Sequence, residues 1–193
     1  MHEPLDETAL LDPTSTYAAS KAAADLMIGQ MVRDGLRAIR FCPFNHTGPG
    51  QTEAFVTPAF AAQIARIEAA QQPPVVRVGN LEALRDFLDV RDVVEAYVQG
   101  IVRPNLPSGA IYNIASGVPR RIADILYSLL AQARVAITVE ADAARMRPND
   151  TPLAIGSSSR AAVDLGWRPR ITWEATLADT LAYWRSKIAS EHS

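Results

Sequence analysis

The order of apolar periodicities is what most constrains this chain. Runs with helical spacing alternate with short β-branched runs from residue 17 to residue 140, and such alternation buries itself as an α/β fold with a largely parallel sheet. The first helix is expected over residues 17 to 34, where Pro13-Thr14-Ser15 supplies a turn and a hydroxyl cap and Gly35 a stop. Further helices are expected over 58 to 70, 90 to 101 and 122 to 133, and strands over 36 to 42, 75 to 78, 110 to 115 and 137 to 140. The Pro/Gly-rich stretch 43 to 51 reads as the loop after the first strand. Beyond Asp142 the pattern changes to two shorter helices, 159 to 165 and 173 to 187, joined by Gly166-Trp167-Arg168-Pro169.

Composition narrows the chemistry. With 193 residues, 48% of them hydrophobic, the chain can build one ordinary core or a core with a small second lobe. Nineteen basic side chains against 21 acidic ones leave a net charge of -2, which gives no electrostatic footprint for nucleic acid or an anionic membrane. The single cysteine, Cys42, excludes an internal disulfide framework and a cysteine-built zinc site, so no metal is expected. It reads as a small buried apolar residue in a reducing cytoplasm. No apolar run approaches the ~20 residues that span a bilayer, and the acidic, Pro-broken start does not resemble a signal peptide.

Tyr17 and Lys21 stand four residues apart on the first expected helix, so both project from one face about one turn apart. An ammonium beside a phenol stabilises the phenolate, which suits a carbonyl being reduced or a hydroxyl being oxidised. Tyr183 and Lys187 repeat the spacing on the last helix. There, between Leu181 and Trp184, the pair reads as an aromatic core face with a solvated lysine.

Two segments could hold a ligand. Phe44-Asn45-His46-Thr47-Gly48-Pro49-Gly50-Gln51 follows a strand, and open parallel sheets bind ligands beyond the carboxyl ends of their strands. Asn45 can donate to a phosphate or sugar oxygen, whereas a lone loop histidine such as His46 is more often structural than catalytic. Arg85-Asp86-Phe87-Leu88-Asp89-Val90-Arg91-Asp92 reads first as surface ion pairs and a helix cap. Because a guanidinium fork matches phosphate oxygens, Arg85, Arg91 and Arg147 are equal candidates for a diphosphate clamp.

Together these segments resemble the extended short-chain dehydrogenase family, in its branch acting on GDP-linked deoxysugars. Tyr17-Ala18-Ala19-Ser20-Lys21 looks like the Tyr-x-x-x-Lys signature, and Arg40 to Gln51, Phe55-Val56-Thr57-Pro58, Val78-Gly79-Asn80-Leu81 and Arg85 to Asp92 resemble segments of that branch. The resemblance implies part of a Rossmann-type parallel sheet (residues 1 to 46 and 85 to 116) plus a small α/β substrate-binding domain (47 to 84 and 117 to 193). It also implies NADP or NAD as cofactor and reduction of the C4 ketone of GDP-4-keto-6-deoxy-D-mannose.

In that scheme Tyr17 gives the proton, Lys21 holds the nicotinamide ribose, and Pro43, Phe44 and His46 lie along the cofactor. Asn45, Phe55, Val56, Arg85, Arg147 and Asp150 face the substrate, with Val56 at the guanine through its backbone; Asp150 reads equally well as a turn former. The family's Gly-x-x-Gly-x-x-Gly turn and the Ser/Thr preceding its tyrosine have no counterpart here, so the nucleotide-binding start is expected to be missing and cofactor binding by these 193 residues weak. A 4,6-dehydratase or 4-epimerase shares the Tyr/Lys pair. Outside catalysis, a remnant that only binds nucleotide-sugars fits the same residues, and a homodimer through the Tyr17/Lys21 helix is implied by the resemblance.

Overall fold

A computed structural model describes residues 3–146 and 153–191. Helix α1 (Thr16–Arg33) starts where the Ser15 hydroxyl accepts the Ala18 N–H at 3.1 Å and stops before Gly35, whose φ of +104° ends the helical ladder. Strand β1 (Arg40–Pro43) and, far later, β5 (Ile111–Ile114) pair in parallel, with Arg40 opposite Ile111 and Pro43 opposite Ile114. Between them come β2 (Asn45–Thr47), α2 (Val56–Glu68), β3 (Val75–Val78), β4 (Leu84–Asp89) and α3 (Val90–Val102). After β5 follow β6 (Pro119–Arg121), α4 (Ile122–Leu130), β7 (Thr138–Ala141), a 3-10 turn (Ala143–Arg145), β8 (Leu153–Ala154), α5 (Ser159–Asp164) and α6 (Trp173–Ser190).

The α/β class expected from the alternation is what the chain forms, with parallel β1–β5, β2–β4, β3–β7 and β4–β8 pairs and one antiparallel pair, β4–β6. Two expectations are corrected. The stretch 43 to 51 is not all loop, because Asn45 to Thr47 pair with Phe87 to Asp89 as β2. The charged run 85 to 92 is not a row of surface ion pairs; it is the hub strand β4, which pairs with β2, β6 and β8, followed by the start of α3.

Its aspartates are buried because each has its acceptors filled. Asp86, 0% exposed, receives the N–H groups of Ser116, Gly117 and Gly156 and the Ser116 hydroxyl, at 2.6–3.2 Å. Asp89 caps α3 through the Arg91 N–H, grips the Arg91 guanidinium and accepts the Thr176 hydroxyl of α6. Asp92 takes the N–H groups of Arg170 and Ile171, fixing the segment that leads into α6. Burying a carboxylate is costly unless it is hydrogen-bonded or paired, so these three residues fasten distant pieces of chain to β4 and to the first turn of α3.

Apolar burial falls into two clusters. One joins α2, β3, α4 and α6, with Phe60, Ile64, Leu126, Leu181 and Trp184 at its centre. The other joins α3, β5 and α5 around Tyr112, Ile114, Leu165 and Trp167. Phe87 of β4 belongs to the first cluster and the adjacent Leu88 to the second, as opposite faces of a strand require. Helix α1 contributes to neither and has no buried residue.

Candidate active site

A cavity of about 780 Å³ opens where the carboxyl end of β1, the β2 strand, the N-terminus of α2 and the edge of β4 meet. Tyr17, Pro43, Phe44, Asn45, His46, Phe55, Val56 and Arg85, all singled out from sequence, line it. Arg85 and Phe87 present one face of β4 to it, with Ala83 just before the strand, while Asp86 points its carboxylate to the opposite face.

Tyr17 occupies the second residue of α1 and is 72% exposed at the cavity rim. The Lys21 ammonium lies 5.4 Å from the centroid of its ring, so one helix face does carry both groups. Lys21 does not line the cavity itself. The repeat of this spacing at Tyr183 and Lys187 is structural: Tyr183 packs edge-on to Trp184 against the first core, and the Lys187 ammonium sits 4.7 Å from the Trp184 ring.

The segment after β1 is internally tied. The His46 Nδ1 lies 3.0 Å from the Phe44 carbonyl, an acceptor only, so that nitrogen carries the hydrogen and the ring is held on its own strand. Thr47 donates to the Gln51 side chain at 2.7 Å, and Gln51 donates back to the His46 carbonyl at 3.2 Å. Gly48 packs against Val90, where a Cβ would stand 2.8 Å from the valine Cγ1. The Asn45 amide reaches the Asp86 carbonyl at 3.4 Å.

Charge in the cavity is lopsided. Its charged lining residues among those described are Arg77, Arg85 and Arg145, the last paired with Asp142 at 3.4 Å, against Glu53. Glu53 is already neutralised by a two-pronged bond from Arg66 at 2.7 and 2.8 Å, which holds its carboxyl below the usual range. Opposite these cations stand Phe55, Val56, Phe60, Val78 and Ile122. An anion with a flat apolar extension fits that division.

Of the equal arginine candidates, Arg85 lines the cavity and Arg91 does not; the Arg91 fork is occupied by Asp89 and Asp179 at 2.8 Å each. Arg147 and Asp150 lie outside the described residues. Sequence reasoning passed over Arg77 and Arg145, and gave Thr57 no role within the quoted segment Phe55-Val56-Thr57-Pro58. For Arg77 the available signal was a lone arginine inside the valine strand Val75-Val76-Arg77-Val78, and for Thr57 its place beside Phe55 and Val56; Arg145 is brought to the cavity by tertiary folding alone. No group of three or more His, Cys, Asp or Glu side chains that could hold a metal ion occurs among the described residues. No helix among them is long and apolar enough to cross a membrane.

Comparison with known proteins gives the family. The GDP-mannose 4,6 dehydratase family model matches residues 1–180. A GDP-6-deoxy-D-mannose reductase of Pseudomonas aeruginosa is 36% identical over 189 residues, covering 97% of this chain and 62% of that protein. GDP-mannose 4,6 dehydratase 2 of Arabidopsis thaliana is 31% identical, over 89% of this chain and 46% of its own length. Among solved structures, RMD from Pseudomonas aeruginosa complexed with NADPH superposes with a TM-score of 0.87 at 35% identity, covering 95% of this chain and 61% of that one. The chain thus spans less than two thirds of the length of these relatives. With the family model matched over nearly its whole length, and Tyr17 and Lys21 side by side at the rim of the cavity, this chain belongs to the GDP-mannose 4,6-dehydratase family of extended short-chain dehydrogenases.

Proposed function

We propose that this chain forms the substrate side of a nucleotide-sugar oxidoreductase that reduces the C4 ketone of GDP-4-keto-6-deoxy-D-mannose with NADPH or NADH. The observation that carries this reading is the Tyr17 phenol, with the Lys21 ammonium beside it, at the rim of a cavity whose arginines suit a diphosphate. The reductase of Pseudomonas aeruginosa, similar across 97% of this chain, supports the choice of reaction.

The nicotinamide end of the cofactor fits the residues present, since Tyr17, Pro43 and Phe44 line one continuous surface at the carboxyl end of β1. When bound, the cofactor supplies hydride to C4. Tyr17 gives its hydroxyl proton to the ketone oxygen as the new C–H bond forms, and Lys21 stabilises the phenolate left behind. Arg85, Arg77 and Arg145 take the diphosphate, the apolar wall around Phe55 and Val56 takes the base, and Asn45 meets the sugar. Lys21 reaches the nicotinamide ribose, and His46 completes the cofactor side of the β1–β2 corner. Exposed Leu26, Met27 and Met31 on α1 support self-association along that helix.

The test is NADPH oxidation with GDP-4-keto-6-deoxy-D-mannose, alongside calorimetric GDP binding. Tyr17→Phe is expected to lower turnover at least about a hundredfold while GDP affinity stays within about twofold. Full turnover by that variant would refute the assignment. The 31% identity to a plant GDP-mannose 4,6 dehydratase favours one second reading, dehydration with no net consumption of nicotinamide. Product formation from GDP-mannose without loss of NADPH absorbance would establish it instead.

A further inference from the structure

Behind the cavity lies a buried carboxylate that takes no part in the proposed chemistry. Asp86 does not line the cavity, and its side chain leaves β4 on the far face. There it accepts from Ser116 and Gly117, just after β5, and at 3.2 Å from the Gly156 N–H, just beyond β8. Donors fill both oxygens, and a buried network satisfied in this way is stiff.

What the carboxylate holds is in contact with the cavity wall. Gly156 lies against the Phe44 ring, so closely that a Cβ there would stand 2.6 Å from both the Phe44 Cζ and the Ala115 Cβ. Phe44 lines the cavity beside Tyr17 and Pro43. The next residue, Asn45, donates its side-chain amide to the Asp86 carbonyl at 3.4 Å. The stretch around Gly156 also ties down the chain that leads to α1, because Leu5 donates to the Ile155 carbonyl at 2.9 Å and accepts the Ser157 N–H at 2.8 Å. Arg77, Arg145 and Phe55, at the other end of the cavity, receive no bond from the Asp86 carboxylate.

We propose that Asp86 is a positioning residue for the reacting end of the cavity: its carboxylate sets Gly156 against the Phe44 ring while its carbonyl orients Asn45. This rests on the nucleotide-sugar reading above and deepens it by naming a group that touches neither substrate nor cofactor yet fixes the wall against which they align. Proton and hydride transfer require reacting atoms held within a few tenths of an ångström, so a loosened wall slows the reaction more than it weakens the grip on the nucleotide.

Three variants test it. Asp86→Asn turns one acceptor into a donor, Gly156→Ala displaces the Phe44 ring while Asp86 keeps its four bonds, and Ser116→Ala removes one of those bonds while the Gly156 anchor stays. NADPH oxidation with GDP-4-keto-6-deoxy-D-mannose is expressed per GDP site counted by calorimetric titration, so unfolded molecules drop out of the comparison. Asp86→Asn and Gly156→Ala are expected to lower kcat per site about ten- to a hundredfold with GDP affinity held within about twofold. Ser116→Ala is expected to unfold at lower urea concentration and keep its kcat per site. Parental kcat per site in either of the first two variants overturns the proposal. Loss of GDP affinity in step with turnover, an equal fall in Ser116→Ala, or failure of both Asp86→Asn and Gly156→Ala to fold also overturns it, because these contacts would then serve the fold alone. A parent chain that neither binds GDP nor oxidises NADPH sinks the nucleotide-sugar reading and this inference with it, whereas an active parent with unaltered variants sinks this inference alone.

Discussion

At the scale of single residues, most of the information lies in the buried carboxylates. Asp86 accepts four hydrogen bonds, so Asp86→Asn replaces one accepting oxygen by an amide that faces existing donors. A loss of about 2–4 kcal/mol is expected, read from urea unfolding. Asp89 and Glu68 set the acid limit. Burial pushes the Asp89 carboxyl up, but bonds from the Arg91 side chain and backbone and from Thr176 outweigh it and hold it below the ordinary carboxylate value. Glu68 is treated the same way by Arg185 and the Arg134 N–H. With folded values depressed, their stabilisation is complete above about pH 4 and is lost as pH falls through those lower values. Asp89→Asn should therefore flatten the acid side of a stability-against-pH curve measured by chemical denaturation. The helix cap and the Asp89–Arg91 pair were legible in the sequence, but the burial was not: Arg85 to Asp92 looks like surface charge until the donors from residues 116, 117, 156, 170 and 171 are placed around it.

At the scale of elements, the sequence spoke clearly where the signal was local. Helices α1, α3 and α6 carry their own hydroxyl or carboxylate caps at Ser15, Asp89 and Thr172, and each begins within a residue of its expected start. Strands β2, β4, β6 and β8 were not legible, because they are short or charged and owe their extended form to partners far along the chain. The β3 corner shows how closely such partners meet. A Cβ on Gly79 would stand 2.3 Å from the Arg145 carbonyl oxygen and 2.9 Å from its carbon, and backbone atoms cannot rotate aside. Gly79→Ala is expected to displace the 3-10 turn that brings Arg145 and Met146 to the cavity, costing about 1–3 kcal/mol and weakening GDP binding in a calorimetric titration.

At the scale of the whole molecule, the alternation of helix and strand yielded the fold class, while composition left open one core or a core with a second lobe, and the coordinates place the buried residues in two clusters. Helix α5, from a tail read as departing from the sheet pattern, packs into the cluster of α3 and β5. Support is uneven. Helix α1 touches the rest mainly through the Asp25–Arg40 ion pair, at 2.8 Å, and the approach of Gly109 to Val32. Amide exchange should be faster along α1 than along α2 or α6, as followed by mass spectrometry. Tyr17 rides on that helix, so the fraction of molecules holding an aligned phenol equals the fraction in which α1 is ordered. On the roles proposed for Tyr17 and the cavity, gentle warming that loosens α1 before either cluster would silence proton transfer while nucleotide retention persists, splitting one protein's heat tolerance into two separate thresholds.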